Sequence, residues 1–342
     1  MNWHALVVLG CLGAACAFPP ARRECVAEVQ PHCTLDGWCD WLLFNDEDLG
    51  WPAQGGPAHE HPGFMLRSLH GFSTSNVWVG VVGNNASRVN PGITPVAWHW
   101  DGCGWTRVEL ADVSLHDVTI WAAPQDTAWI AALGQSDLTL LRWNGLALTQ
   151  LETWPNVADQ TVGDPQFRTN TRLQWVADND VWVAAGWSLR RFTGLRWVPQ
   201  PIFSPAFWSD SRETISFAQD SLVRSGAEVG VVIPFLEGEV PVASWGTAAR
   251  DVWWVTREGS AAHSNATTVD RSFKLAESLS MVHGRSNDDV TFCSAARCFH
   301  WNGTWVREIR VPRNTLLTGL WTAPNGRLWL ATRDGRVMVE QW

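Results

Sequence analysis

The sequence predicts an all-β chain folded as a seven-bladed β-propeller, with a six-bladed ring as the fallback. Three observations predict it: self-similarity with a period near 40 residues, two hairpin signals inside each period, and a last residue that falls in mid-pattern. The hairpin signals fix the strands. "PVAWHWDGCGWTRVEL" (95–110), "LLRWNGLALTQLE" (140–152), "LRRFTGLRWVPQ" (189–200) and "CFHWNGTWVRE" (298–308) each place an apolar alternation, an aromatic, a polar residue and Gly before a second alternation. Alternation across Asp-Gly or Asn-Gly marks two antiparallel strands around a tight turn. Upstream lies a second hairpin in which an aromatic or His precedes a strand-2 residue by eight positions: His70/Trp78, Trp121/Trp129, Trp245/Trp253, His283/Thr291 and Trp321/Trp329, with Trp175/Trp182 one residue shorter.

Together the hairpins give four strands per repeat. Residues 203–241 have the length of one further copy, with Trp208 and Phe235-Leu236-Glu237-Gly238 as landmarks but no fixed register; counting it gives seven repeats over 66–342. Trp342 occupies the strand-3 aromatic position, so the last repeat lacks its outer strand. "LDGWCDWLL" (35–43) begins with the missing Asp-Gly and continues as a strand, and is expected to close the ring and cover a sheet edge.

The N-terminus, "MNWHALVVLGCLGAACAFPP", has an apolar stretch ending in Ala15-Cys16-Ala17, which reads as a signal peptide over 1–17; lipidation at Cys16 is the alternative. A Cys-containing segment (18–43) and a linker (44–65) follow. No later segment is long and apolar enough to span a bilayer. The mature chain keeps Cys25, Cys33, Cys39, Cys103, Cys293 and Cys298, an even set that fits disulfides in an oxidising compartment. Cys293 and Cys298 flank a four-residue hairpin link and are expected to pair, as are Cys33 and Cys39, which leaves Cys25–Cys103 by elimination. Net charge is −9, with one lysine against 24 arginines and no local basic run, so nucleic acid is excluded as a partner. The arginine skew is that of a GC-rich, bacterial coding sequence.

Repeats of the form D-V-W followed by H-W-[DN]-G-x-x-W, with "DGWC" near a Cys-rich N-terminus, resemble the exported β-propeller proteins of myxobacteria. "VWVAAGWSLRRFTG" and "RLWLATRDGRVMVEQW" are similar to tectonin repeats, which form propeller lectins. The resemblance covers residues 35–342 and implies the propeller fold; tectonin sugar-binding positions do not map residue by residue.

No nucleophile, phosphate-loop or zinc-protease motif is present, nor the Ser-x-Asp-x-Gly boxes of sialidase-type propellers. The 25 tryptophans recur at fixed repeat positions and read as core between blades. Asp180, Asp251 and Asp289, with Asn76 as a variant, precede strand 2 and read as acceptors for backbone N–H groups of the strand 1–2 turn. His59 and His61 sit among Pro and Gly in a loop, which weighs against a metal site, and "NDEDLG" (45–50) lacks the ligands of a calcium loop. Three sequons, at Asn85, Asn265 and Asn302, read as chance matches in a bacterial chain. No cofactor or metal is implied.

Parity locates the candidate binding face. In a four-stranded antiparallel blade the 2–3 turns and 4–1 crossovers share one side of the disc. Three long departures from the repeat belong there: 44–65, 83–95 and 152–171. Their polar and stacking residues are the candidate ligand contacts: Trp51, His59, His61, Asn84, Asn85, Arg88, Trp154, Asp164, Phe167 and Arg168. The function this supports is exported, non-enzymatic recognition of a glycan or a surface or extracellular protein by a monomer. One alternative is a carbohydrate-active enzyme, a glycosidase or lyase, which needs two carboxylates converging on the central channel. The other is a passive envelope component.

Overall fold

The computed structural model describes residues 32–340 except 34–36, 44–63, 84–95, 111–114, 135–136, 156–170, 178–179, 186–187, 201–205, 211–212, 218–220, 226–230, 235–238, 249, 266–267 and 276. All described regular structure is β, arranged as seven small antiparallel sheets in a ring: a seven-bladed β-propeller. Two short N-terminal strands, β1 (His32–Cys33) and β2 (Trp38–Leu43), come first. Blade 1 is β3 (Phe64–Ser73), β4 (Asn76–Gly83), β5 (Val96–Trp100) and β6 (Trp105–Glu109). Blade 2 is β7 (Leu115–Ala122), β8 (Ala128–Gly134), β9 (Asp137–Trp143) and β10 (Leu148–Pro155). Blade 3 is β11 (Thr171–Ala177), β12 (Asp180–Ala185), β13 (Ser188–Phe192) and β14 (Trp197–Pro199). Blade 4 is β15 (Phe207–Ser209), β16 (Thr214–Phe217), β17 (Ser221–Ser225) and β18 (Val231–Pro234). Blade 5 is β19 (Pro241–Ala248), β20 (Asp251–Thr256), β21 (Ser260–Ser264) and β22 (Val269–Lys274). Blade 6 is β23 (Met281–Ser286), β24 (Asp289–Cys293), β25 (Cys298–Trp301) and β26 (Val306–Ile309). Blade 7 is β27 (Leu317–Thr322), β28 (Leu328–Thr332) and β29 (Arg336–Glu340), completed by β2 and β1.

Residues 203–241 thus hold a full blade, with Trp208 opposite Ile215. Five of the six predicted strand 1–2 pairs are directly opposed: His70/Trp78, Trp121/Trp129, Trp245/Trp253, His283/Thr291 and Trp321/Trp329. The sixth is corrected. Trp182 lies opposite Gln174, eight positions earlier as in the other blades, and Trp175 lies opposite Val181. The first inner strand starts at Phe64, two residues earlier than the periodicity places it.

The tight turn between strands 3 and 4 has a visible cause. Gly102, Gly145, Gly194 and Gly303 all have φ between 83° and 95°, a region closed to residues with a side chain. The preceding polar residue holds the turn: Asp101 Oδ1 accepts from the backbone N–H of Cys103 and Gly104, Asn144 Oδ1 from Leu146 and Ala147, and Asn302 Oδ1 from Thr304 and Trp305. Gly37, φ 81°, repeats this conformation just before β2. β2 pairs antiparallel with β29, Trp38 opposite Glu340, and so supplies the outer strand of blade 7. Its two indoles face opposite neighbours. Trp38 packs into the blade 6–7 core and donates its Nε1–H to Arg310 O at 2.8 Å, while Trp41 packs against Trp100 of blade 1 and Trp329 of blade 7.

Because successive strand residues point to opposite faces and strand 2 of a blade is covered on both, it reads as an apolar run; all seven residues of β8 are buried. The core is correspondingly divided into seven clusters, one per blade junction. Two predicted disulfides are present: Cys33–Cys39 ties β1 to β2, and Cys293–Cys298 ties β24 to β25, each between directly opposed residues. Each closes a short loop, which limits its stabilisation to about 2 kcal/mol by loop-closure entropy. Cys103 is also disulfide-bonded; Cys25, its expected partner, lies outside the described residues.

The inner strands form a ring around the axis, joined by a two-part code. Where a blade carries Gly after its strand-1 aromatic or His, the preceding blade inserts an indole over it. A Cβ at Gly71 would lie 2.5 Å from the Trp321 ring, at Gly284 2.9 Å from Trp245, and at Gly246 3.2 Å from Trp208. Where the next blade carries Ala122 or Thr322 instead, the preceding blade presents a histidine. Ala122 N–H donates to His70 Nδ1, and Thr322 N–H to His283 Nδ1, each at 3.1 Å. Burial pushes the His283 pKa down to about 3; burial, then the neighbouring His283, pushes His70 well below the usual imidazole value. Both rings are neutral, as an accepting Nδ1 requires.

Candidate functional site

Of the residues the sequence offers as ligand contacts, Trp51, His59, His61, Asn84, Asn85, Arg88, Asp164, Phe167 and Arg168 lie outside the described residues. Trp154 is described, and its placement corrects the reading of 152–155 as loop. It sits in β10, 4% exposed, donating Nε1–H to Glu152 at 2.7 Å, with the Trp197 ring edge-on at 5.0 Å and the Arg190 guanidinium over it at 4.9 Å. Its neighbours in the blade 2–3 core bury the ring, so it is a packing residue. The strand ends flanking the three long segments, Leu43 and Phe64, Gly83 and Val96, Pro155 and Thr171, share one side of the disc by the antiparallel order of the blades.

The acidic residues before strand 2 do something the sequence reading did not foresee. They reach across the blade to a basic side chain on strand 3, which itself lies over the strand-2 indole. In blade 1 His99 stacks on Trp78 at 4.4 Å and donates Nε2–H to Asn76 Oδ1 at 3.2 Å. In blade 3 Arg191 covers Trp182 at 5.1 Å and binds both oxygens of Asp180 at 2.8 Å. In blade 5 His263 lies 4.9 Å from Trp253, with Nε2 on Asp251 at 2.7 Å and Nδ1 on Asp270 at 2.6 Å. Blade 2 keeps Arg142 over Trp129 at 5.2 Å. In blades 1, 3 and 5 the clasp combines a ring contact with a charge-assisted or buried hydrogen bond. Asp180, Asp251 and Asp289 are therefore engaged within their own blades, and Asp251 and Asp289 also bind Thr247 and Arg285 on the inner strands.

The strand-2 indole of each clasp fills the junction with the following blade: Trp78 lies in the blade 1–2 core, Trp129 in 2–3, Trp182 in 3–4, Trp253 in 5–6 and Trp329 in 7–1. Blade 6 keeps the acid and the base but not the indole. His300 donates Nε2–H to Asp289 at 2.9 Å and stands opposite Thr291. A cleft of about 70 Å³ opens there, between blades 6 and 7. Thr291, Ile309, Thr322 and Leu328 form its buried floor; Arg285, Asp289, His300, Arg307 and Glu340 form its walls. Arg285 binds Asp289 and leans on the blade 7 turn, where a Cβ at Gly326 would meet it at 3.0 Å. The bond from His300, opposed by burial and helped by Arg285, holds the Asp289 carboxyl below the usual range, whereas burial raises that of Glu340. Two polar atoms of the cleft, His300 Nδ1 and Thr322 Oγ1, are buried without a partner among the described residues.

Among the described residues no helix could cross a membrane, and no cluster of His, Cys, Asp and Glu could hold a metal. No family model matches the chain, and no curated protein matches its sequence. Solved structures do share its fold. A structure of YCF48 bound to D1 peptide is 14% identical with a TM-score of 0.55, covering 82% of this chain and 93% of its own. A streptogramin B lyase is 11% identical with a TM-score of 0.57, covering 80% and 92%. The WD40 β-propeller domain of Doa1 is 11% identical with a TM-score of 0.58, covering 80% and 92%. Binding propellers and an enzyme thus stand at equal distance, and the likeness is one of fold alone.

Proposed function

We propose that this chain is an exported, non-enzymatic recognition module whose ligand is a glycan or a surface or extracellular protein. One observation carries the reading: three long connecting segments, from blade 7 into blade 1, within blade 1 and from blade 2 into blade 3, have their flanking strand ends on the same side of the disc. The rim contacts are Trp51, His59, His61, Asn84, Asn85, Arg88, Asp164, Phe167 and Arg168; Trp154 is omitted because its ring is buried. The disulfides fit an oxidising compartment, reached through a signal peptide over 1–17 that is either cleaved or lipidated at Cys16. A protein ligand has precedent in the YCF48 structure, which holds a peptide. The test is a glycan array run beside a pull-down from envelope extracts, followed by Trp51→Ala and Arg168→Ala. Loss of the captured ligand at unchanged melting temperature supports the rim; full binding by both variants refutes it.

A further inference from the structure

We propose that the cleft between blades 6 and 7 is a binding site for a vicinal diol on the edge of a sugar ring, separate from the loop rim. The cleft exists because Thr291 occupies the position where five other blades place an indole across the junction with the next blade. A flat ring is what this frame is built to seat. Volume limits how much of one enters. About 70 Å³ is roughly half the 150 Å³ of a cavity that encloses benzene, so one ring edge fits and the rest stays outside.

The polar groups specify the edge. Asp289 is already saturated by Arg285 and His300, which leaves Arg307, Glu340, His300 Nδ1 and Thr322 Oγ1 to face the ligand. Arg307 only donates, Glu340 accepts, and the Thr322 hydroxyl does either, beside the unpartnered His300 Nδ1. The ligand must therefore donate and accept at adjacent points, as two neighbouring hydroxyls do. Two carboxylates, Asp289 and Glu340, balance two guanidiniums, Arg285 and Arg307, so the lining favours neither an anion nor a cation. Ile309 and Leu328 offer the apolar floor that the C–H face of a sugar prefers.

The probes are methyl glucoside, methyl galactoside, methyl mannoside and myo-inositol, with acetate and ethylammonium as charged controls. The readout is the His300 imidazole resonance, assigned with His300→Gln. At least one diol should shift it saturably and neither ion should compete. Arg307→Ala and Glu340→Gln, both at the exposed side of the cleft, should fold normally and weaken binding at least about tenfold. Thr291→Trp, which restores the indole, should abolish the shift. Absence of a saturable shift with every diol, tighter binding of acetate or ethylammonium, or undiminished binding in Arg307→Ala overturns the proposal. None of these substitutions touches the loop rim, so a failure here leaves the rim reading standing.

Discussion

Blades 5 and 6 share strand order and a bulge before strand 2, yet blade 5 carries Trp245 and Trp253 where blade 6 carries His283 and Thr291. In blade 5 both inner positions are filled. Trp245 lies over Gly284, Trp253 is fully buried, and both nitrogens of His263 rest on carboxylates. In blade 6 each indole is replaced by something smaller and more polar. His283 accepts a backbone N–H, Thr291 leaves a cleft, and His300 uses one nitrogen. The frame that packs five junctions shut with an indole thus tolerates an open one, because the clasp between acid and base survives without the indole. A propeller blade holds its strands by hydrogen bonds and its junctions by side chains, and the two can vary apart.

The comparison can be broken most severely from outside. A chain lacking residues 35–43 loses Trp38, the wall that seals the far side of the blade 6–7 core, together with Trp41 against blade 1. Burial of one tryptophan is worth about 3–5 kcal/mol, so the deletion should cost at least about 5 kcal/mol in chemical denaturation; a loss under about 1 kcal/mol would show that β2 is a dispensable tail. Next in size, Trp253→Thr gives blade 5 the residue of blade 6, and should cost about 3–5 kcal/mol because nothing in blade 5 has adapted to the void.

The carboxylates sharpen the comparison further. The His263 side chain is 3% exposed and that of His300 17%, so losing the acid strands a deeper group in blade 5. Asp251→Ala should cost about 1–3 kcal/mol and Asp289→Ala less, as read from paired melting curves. The last contrast is in pH response. His283 is held neutral when folded, with a pKa near 3, and takes up a proton near pH 6.5 when unfolded. Its contribution is complete above pH 6.5 and declines as pH falls from there toward 3, since over that window only the unfolded state binds the proton. His283→Gln should flatten the fall of melting temperature between pH 6.5 and 4; an unchanged slope would place the proton sensitivity elsewhere.

Much of this frame was legible in the sequence, because it rests on local signals. Asp-Gly and Asn-Gly turns, alternation, and paired cysteines across a hairpin all act within a dozen residues, and each reappears as a strand, turn or bridge. The clasp was not legible as a clasp. Asp180 or Asp251 preceding strand 2 looks like a turn acceptor until the strand 2–3 register shows which side chain stands across from it. A signal was present in the basic residue directly before the strand-3 aromatic, as in His99-Trp100, Arg142-Trp143, Arg191-Phe192 and His300-Trp301. The break in pattern at His283 and Thr291 was visible too, but its consequence depends on blade 7 packing opposite, a contact no short-range pattern encodes. Trp154 was misread because β10 runs on through Pro155, an outer strand position where proline is tolerated.

The central claim is that Thr291 leaves a seat for a ring that five other junctions fill. Thermal melting of Thr291→Trp beside Trp253→Thr tests it most directly. The account predicts that Thr291→Trp melts within about 2 °C of the parent or above it, as cavity filling does, while Trp253→Thr falls by several degrees. If Thr291→Trp falls as far as Trp253→Thr, the blade 6–7 junction is packed for threonine and no such seat exists.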